Sequence, residues 1–215
     1  MMPQKSKWKT WDLIKIDQES HLDSPRFLNS SLYKREPAIR DGMCLGASIQ
    51  WCRRLLTHPG ESPLERMSQL ETNLEDVAST QFLHMETIDY IPERLWWPQH
   101  YGEYLEAMCR VSQLKFNYAF EIAQPCSPYG ITKLIGSVKS NCLYKLKPTL
   151  PDGLAHAVTL VTSDIGPVKV FDVLFGEFEF DQSRLEQFLQ DYWKSWTDDD
   201  YAFDQLLGYE VSKSH

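Results

Sequence analysis

Residues 154–180 read LAHAVTLVTSDIGPVKVFDVLFGEFEF. Two runs, LAHAVTLVT (154–162) and PVKVFDVLFGEFEF (167–180), are rich in β-branched and aromatic residues and flank the turn signal SDIG. They predict two antiparallel strands joined by a tight connection. Pairing symmetric about Asp164 sets His156 directly opposite Asp172, where Cβ atoms sit roughly 4.5–5.5 Å apart. His156 shares its face with Val158 and Leu160, and Asp172 shares its face with Val168 and Val170. Both polar groups therefore lie on apolar stripes. A buried carboxylate needs a partner, and the imidazole can be that partner. A slip of one residue would place the two on opposite faces.

Working outward, the rest of the chain reads as α+β. Leu45, Ile49, Cys52 and Leu56 form a helical stripe over 43–57. HPGESP breaks that helix, and Ser62 with Glu65 then forms a capping box with Pro63 at the first helical position. A second helix is expected to about residue 75, with an extension toward 85. YIPERLWWPQH (90–100) is a proline-bounded aromatic loop, and residues 100–112 are helical. LKFNYAFEI (114–122) alternates as a strand, QPCSPYG is a loop, 131–139 is a short helix and NCLYKLK (141–147) is a strand. Ser183 with Glu186 is expected to cap a last helix over 183–196, with Leu185, Phe188, Leu189 and Tyr192 on one face. The architecture is then helices first, an antiparallel sheet in the second half and a terminal helix. Residues 1–40 are polar and weakly periodic. They read as an N-terminal arm, partly ordered, on a domain spanning 41–215.

Composition narrows the function. The chain has 215 residues and a net charge of −8, which argues against a general nucleic-acid-binding role and leaves room for a basic protein partner. No apolar run reaches the roughly 18–20 residues that span a bilayer. The start, MMPQKSKWKTWDLIK, has no apolar signal core and no glycine after the initiator Met, so neither a secretory signal nor myristoylation is expected. The five cysteines, Cys44, Cys52, Cys109, Cys126 and Cys142, are irregularly spaced and form no C-x-x-C. That is the usage of a reduced compartment. No histidine joins them at zinc-ligand spacing, so neither a metal site nor a cofactor is expected.

The second informative stretch is RDGMCLGASIQWCRRLL (40–56). Cys44 stands at the start of the predicted helix, where the dipole favours a thiolate. A nearby imidazole can take the thiol proton, and a carboxylate beyond it fixes the tautomer and stabilises the imidazolium. Cys44, His156 and Asp172 can fill these three roles. Cys52, eight residues further along the helix, reads as core. Trp96 and Trp97 can line a cleft or pack within their loop. The run WTDDD (196–200) can attract a basic substrate or simply be a solvated face.

Cysteine first, on a helix, with histidine and a third member later, on a sheet, is the papain-like order. GMCLGASIQW resembles the G-x-C-x-x-x-S-x-x-W segment of the YopT-type cysteine proteases, a family of the papain-like clan that includes bacterial effectors delivered into host cells. HAVTLV resembles the histidine strand of that family. VFDVLFGEFEF resembles its aspartate segment, in which a carboxylate precedes F/Y-G-x-F. The resemblance spans about 44 to 180. It implies Cys44 as nucleophile, His156 as general base and acid, and Asp172 as orienting acid, with Gly42, Ser48, Trp51, Gly176 and Phe178 as structural residues. It also implies a protein substrate in the host, with the enzyme made in the bacterial cytoplasm and then translocated.

The chain departs from the family at two points. Val173 and Leu174 follow Asp172 where Pro-Asn is common, and residues 37–43, PAIRDGM, offer no Gln or Asn as an oxyanion donor. The Cys44 backbone N–H is one donor at a helix start. Asp41, when ionised, cannot be the second. Three functions stay open: peptide-bond hydrolysis, glutamine deamidation or transamidation by the same triad, and a non-enzymatic secretion chaperone or interaction protein.

Overall fold

The computed structural model describes residues 13–14, 42–89, 106–137, 141–148, 156–162, 166–197 and 203–214. In chain order the elements are β1 (Leu13–Ile14), α1 (Cys44–Thr57), α2 (Pro63–Thr72), α3 (Leu74–Asp89), β2 (Leu114–Ala123), α4 (Pro128–Ser137), β3 (Asn141–Pro148), β4 (His156–Val161), β5 (Val168–Asp172), β6 (Gly176–Phe180), α5 (Leu185–Thr197) and β7 (Phe203–Lys213). A helical stretch over 106–111 precedes β2. The aromatic loop at 90–100, the turn at 163–165 and the acidic run at 198–200 lie outside the described residues.

Among the described residues the strands form one seven-stranded sheet in the order β1-β6-β5-β4-β3-β7-β2, and the pairings are antiparallel. Successive side chains on a strand point to opposite faces, and each face has its own core. On one side Ala157, Val161, Phe171, Val173, Leu207 and Tyr209 pack against Ile49, Trp51 and Cys52 of α1, Met67 and Leu70 of α2, and Val77 and Ala78 of α3. On the other, Val158, Leu160, Val168, Val170, Phe178 and Leu206 pack against Leu134 of α4 and Phe188, Leu189 and Tyr192 of α5. The sheet is thus the middle layer, and β4 and β5 are buried on both faces.

Local chemistry sets the helix boundaries. The capping box at Ser62 is complete: its hydroxyl accepts from the Glu65 N–H, and the Glu65 carboxylate accepts from the Ser62 N–H at 2.8 Å. The expected long helix is instead two, α2 and α3. Asn73 leaves helical geometry at φ −104°, ψ 39°, and its carbonyl accepts from Asp76 and Val77, which starts the next helix. Asn favours such breaks because its side chain competes for backbone partners. Before α5 the capping residue is Asp181, not Ser183. Its carboxylate accepts from the Ser183 N–H at 2.8 Å and starts a 3₁₀ turn over Gln182–Arg184.

Two further differences matter for the site. The register between β4 and β5 sets Val158, not His156, opposite Asp172. The slip from the expected pairing is two residues, so His156 and Asp172 keep a common face as diagonal neighbours. The chain also does not finish on a helix: β7 follows α5 and inserts between β3 and β2. At the opposite edge, Leu13 and Ile14, within the segment read as an arm, pair with Phe178 and Glu177 of β6.

Candidate active site

Cys44 is the first residue of α1 and is half-buried. Residues four apart on a helix share a face, and the next such position is Ser48. Its hydroxyl donates to the Ala157 carbonyl at 3.3 Å, and the Thr159 hydroxyl donates to the Ser48 carbonyl at 3.3 Å. These two bonds fasten α1 to β4 beside His156. One turn further, Trp51 stacks on Phe171 of β5 with ring centroids 5.5 Å apart and planes 9° apart. Its indole N–H donates to Glu177 Oε2 at 2.6 Å. Cys44, Ser48 and Trp51 of the segment singled out in the sequence are therefore the side of α1 that meets the sheet.

Gly46 permits the close approach of α3. A Cβ there would lie 2.3 Å from the Val77 carbonyl oxygen. Its N–H, one of the helix-start donors without an intrahelical acceptor, is taken by Gln81 Oε1 of α3 at 3.0 Å. At Gly42, by contrast, a Cβ would meet open space.

His156, the first residue of β4, lies where α1 begins. Its side chain is 12 % exposed, and Nε2 lies 3.0 Å from Asp172 Oδ2, while the Asp172 side chain is fully buried. With Nε2 committed to the carboxylate, Nδ1 is the ring nitrogen left for the thiol. The Asp172 carboxylate is fully engaged: Oδ1 accepts from the Leu174 N–H at 2.8 Å, and Oδ2 also accepts from the Tyr192 hydroxyl at 2.6 Å. The Asp172 carbonyl accepts from the Phe175 N–H at 3.0 Å, closing a tight turn. Gly176 follows at φ 118°, a conformation that favours glycine. Val173 and Leu174 thus sit inside the turn that aims Asp172. Trp196 of α5 covers the imidazole, with ring centroids 5.0 Å apart.

The electrostatics follow from this geometry. Burial pushes the Cys44 thiol up, but the hydrogen bond and charge of His156 and a hydrogen bond from the Ala157 backbone outweigh it. The thiol ends below its ordinary value, with the Asp172 charge opposing. Burial pulls His156 down, yet the charge and hydrogen bond of Asp172 and the pairing with Cys44 raise it to about 10. Both shifts act toward a thiolate–imidazolium pair. The other thiols among the described residues behave differently. Burial and the charge of Glu106 push Cys109 up to about 12, and burial raises Cys126. Cys52 is buried in the α1 core.

The structure therefore brings Cys44, His156 and Asp172 to one place. Sequence reading missed Tyr192, Trp196 and Gln81 as neighbours of the site, and the buried Arg66–Glu177 ion pair behind it. Tyr192 carried a usable signal, because a phenol in an apolar helical stripe needs a partner for its hydroxyl. Arg66 carried a weaker one, standing next to Met67 in a helix whose stripe is buried. Among the described residues no group of three or more His, Cys, Asp or Glu side chains is placed to hold a metal ion, and no helix is long and apolar enough to cross a membrane.

Helices laid against both faces of an antiparallel sheet, with a thiol at a helix start beside the strand that carries an imidazole, are features of the papain-like class of fold. Residues 131–205 match the family model described as Yersinia/Haemophilus virulence surface antigen, Peptidase_C58. That match includes His156 and Asp172 and leaves out Cys44. Among solved structures, the chain resembles the Pseudomonas avirulence protein AvrPphB, with a TM-score of 0.61 and 15% identity over 81% of this chain and 93% of that one. No curated sequence matches it significantly. The YopT-type family likeness is thus present both as a sequence match and in the fold.

Proposed function

We propose that the protein is a cysteine peptidase of the YopT type that hydrolyses a peptide bond in a protein substrate through an acyl-enzyme on Cys44. The observation that carries this reading is the chain of contacts from the helix-start thiol through His156 to the fully buried Asp172. In acylation the Cys44 thiolate attacks the scissile carbonyl carbon. The oxyanion is held by the Cys44 backbone N–H at the start of α1. Collapse expels the amine, which takes a proton from the His156 imidazolium. The now neutral His156 then removes a proton from water, and the resulting hydroxide equivalent adds to the thioester; collapse releases the acid and restores the Cys44 thiolate beside the His156 imidazolium. Asp172 keeps Nε2 protonated and Nδ1 turned to the sulfur throughout.

In this proposal the enzyme acts in a host cell after translocation from the bacterium. Residues 41–215 form the catalytic domain, with the segment 1–40 as an arm that touches the sheet edge through β1. The net charge of −8 suits a substrate with a basic segment.

The test is mass spectrometry of a host-cell lysate after incubation with wild type or Cys44→Ser. New protein N-termini that depend on Cys44 support peptide hydrolysis. Cys44-dependent conversion of glutamine to glutamate, without new termini, would replace hydrolysis by deamidation. No Cys44-dependent change of either kind refutes an enzymatic role and points to a binding function.

A further inference from the structure

We infer that Tyr192 is a positioning residue of this site, its buried hydroxyl holding the Asp172 carboxylate in place and charged through the steps in which the His156 imidazole is neutral. The inference rests on the Cys44–His156–Asp172 reading above.

The geometry is specific. Tyr192 O–H donates to Asp172 Oδ2 at 2.6 Å, the same oxygen that lies 3.0 Å from His156 Nε2. The distance is that of a charge-assisted hydrogen bond. The Tyr192 ring cannot swing away. It stacks on Phe188 at 6.0 Å and is met edge-on by Trp193 at 5.1 Å, Phe175 at 6.1 Å and Trp196 at 6.3 Å. At 2 % exposure it is out of reach of a substrate, so it can act only through Asp172.

The need for such a group follows from charge balance. Among the described residues no lysine or arginine pairs with Asp172, and its countercharge is the His156 imidazolium. When His156 gives its proton to the leaving amine, Asp172 becomes an isolated buried anion, which is costly unless hydrogen bonds replace the lost charge. The Leu174 N–H and the Tyr192 O–H are those bonds. The titratable groups that face the Asp172–Tyr192 pair are His156 from β4, Cys44 from α1 and Cys126 from the turn before α4. Burial, then the charge and hydrogen bond of Asp172, raise the Tyr192 phenol well above its ordinary value, so it stays a neutral donor throughout.

Removing the hydroxyl destabilises the state with neutral imidazole more than the state with imidazolium. His156 should then hold its proton more tightly, deliver it more slowly to the leaving amine and serve as a poorer base for water. The experiment is an NMR titration of the His156 ring in wild type, Cys44→Ala, Tyr192→Phe and a protein with a fluorinated tyrosine installed at 192, with kcat and KM measured across pH on a peptide spanning the cleavage site found in the lysate.

In Tyr192→Phe the His156 titration should move up by about half a unit to one unit, with kcat down roughly tenfold and KM within about twofold. The fluorinated ring keeps its shape and hydroxyl but donates more strongly, so it should move the titration down. It also keeps the test decisive if Tyr192→Phe does not fold. An unmoved titration in the variants that fold, beside a wild-type titration that responds to Cys44→Ala, overturns the role of Tyr192 and leaves the triad standing. A wild-type His156 titration indifferent to Cys44→Ala sinks the triad itself, and the role of Tyr192 with it.

Discussion

Glu177→Gln should be one of the most damaging conservative changes in the protein. Glu177 is 1 % exposed and Arg66 is 0 % exposed, with Nη2 to Oε1 at 2.7 Å and Nε to Oε2 at 3.0 Å. Trp51 Nε1 donates to the same Oε2 at 2.6 Å. Every oxygen of this carboxylate thus faces donors. A glutamine side chain of the same shape offers one acceptor oxygen and turns an NH₂ toward either a guanidinium or an indole N–H. Removing one partner of a buried ion pair costs about 3–5 kcal/mol. Arg66 keeps the Glu61 carbonyl at 3.0 Å and the Trp51 ring at 5.8 Å, so the lower end, about 3 kcal/mol, is expected. For a domain of this size that corresponds to a fall in Tm of about 6–12 °C. Urea unfolding followed by tryptophan fluorescence, with calorimetry alongside, measures both. Arg66→Met combined with Glu177→Leu removes both charges and should recover most of the loss, because apolar replacement of a buried pair is often neutral. A loss below about 1 kcal/mol in Glu177→Gln, or a double variant less stable than the single one, refutes this account of the core.

Four further outcomes are expected. Iodoacetamide near pH 6 should label Cys44 ahead of Cys109 and Cys126, because the first thiol is lowered and the other two are raised; equal labelling by peptide mass spectrometry contradicts this. His156→Ala should shift the Cys44 labelling profile to higher pH, since the cation that favours its thiolate is gone. Asp172→Asn should lower turnover by roughly tenfold to a thousandfold, less than in a serine enzyme because the helix start already favours the thiolate; an unchanged rate assigns Asp172 a structural role alone. Gly46→Ala, which puts a methyl 2.3 Å from the Val77 carbonyl oxygen, should destabilise by about 1–3 kcal/mol despite the better helix propensity of alanine; a neutral result in urea unfolding contradicts the close α1–α3 packing.

The residues that the structure gathers at the candidate site were more legible than the frame around them, for physical reasons. Period-two alternation with β-branched residues marks β4 and β5 because both are buried on both faces. That pattern also fixes the parity of His156 and Asp172, which survives a two-residue slip; the slip itself depends on turn geometry that composition does not specify. β7 was missed. FDQLLGYEVSK shows weak alternation, and its burial comes from being enclosed by β3 and β2, a tertiary fact. Glu177 and Glu179 look alike in GEFEF, yet Glu177 is buried against Arg66 while Glu179 is 41 % exposed beside Lys169. Only the placement of α2 over one of them tells them apart. Tyr192 and Trp196 became neighbours of the site because α5 packs across the face that carries Asp172, and helix packing of that kind is not written in local sequence.

The position of β7 also bears on when this protein can act. Residues 203–213 fill the gap between β3 and β2, so a chain emerging from the ribosome has its thiol, imidazole and carboxylate in place along the backbone long before its sheet can close. Until those residues arrive, β3, which pairs directly with the His156 strand, presents an open edge and the apolar floor beneath α5 lacks Phe203 and Leu206. Closure of the sheet around the candidate site thus waits for residues 203–213, the strand that joins β3 to β2.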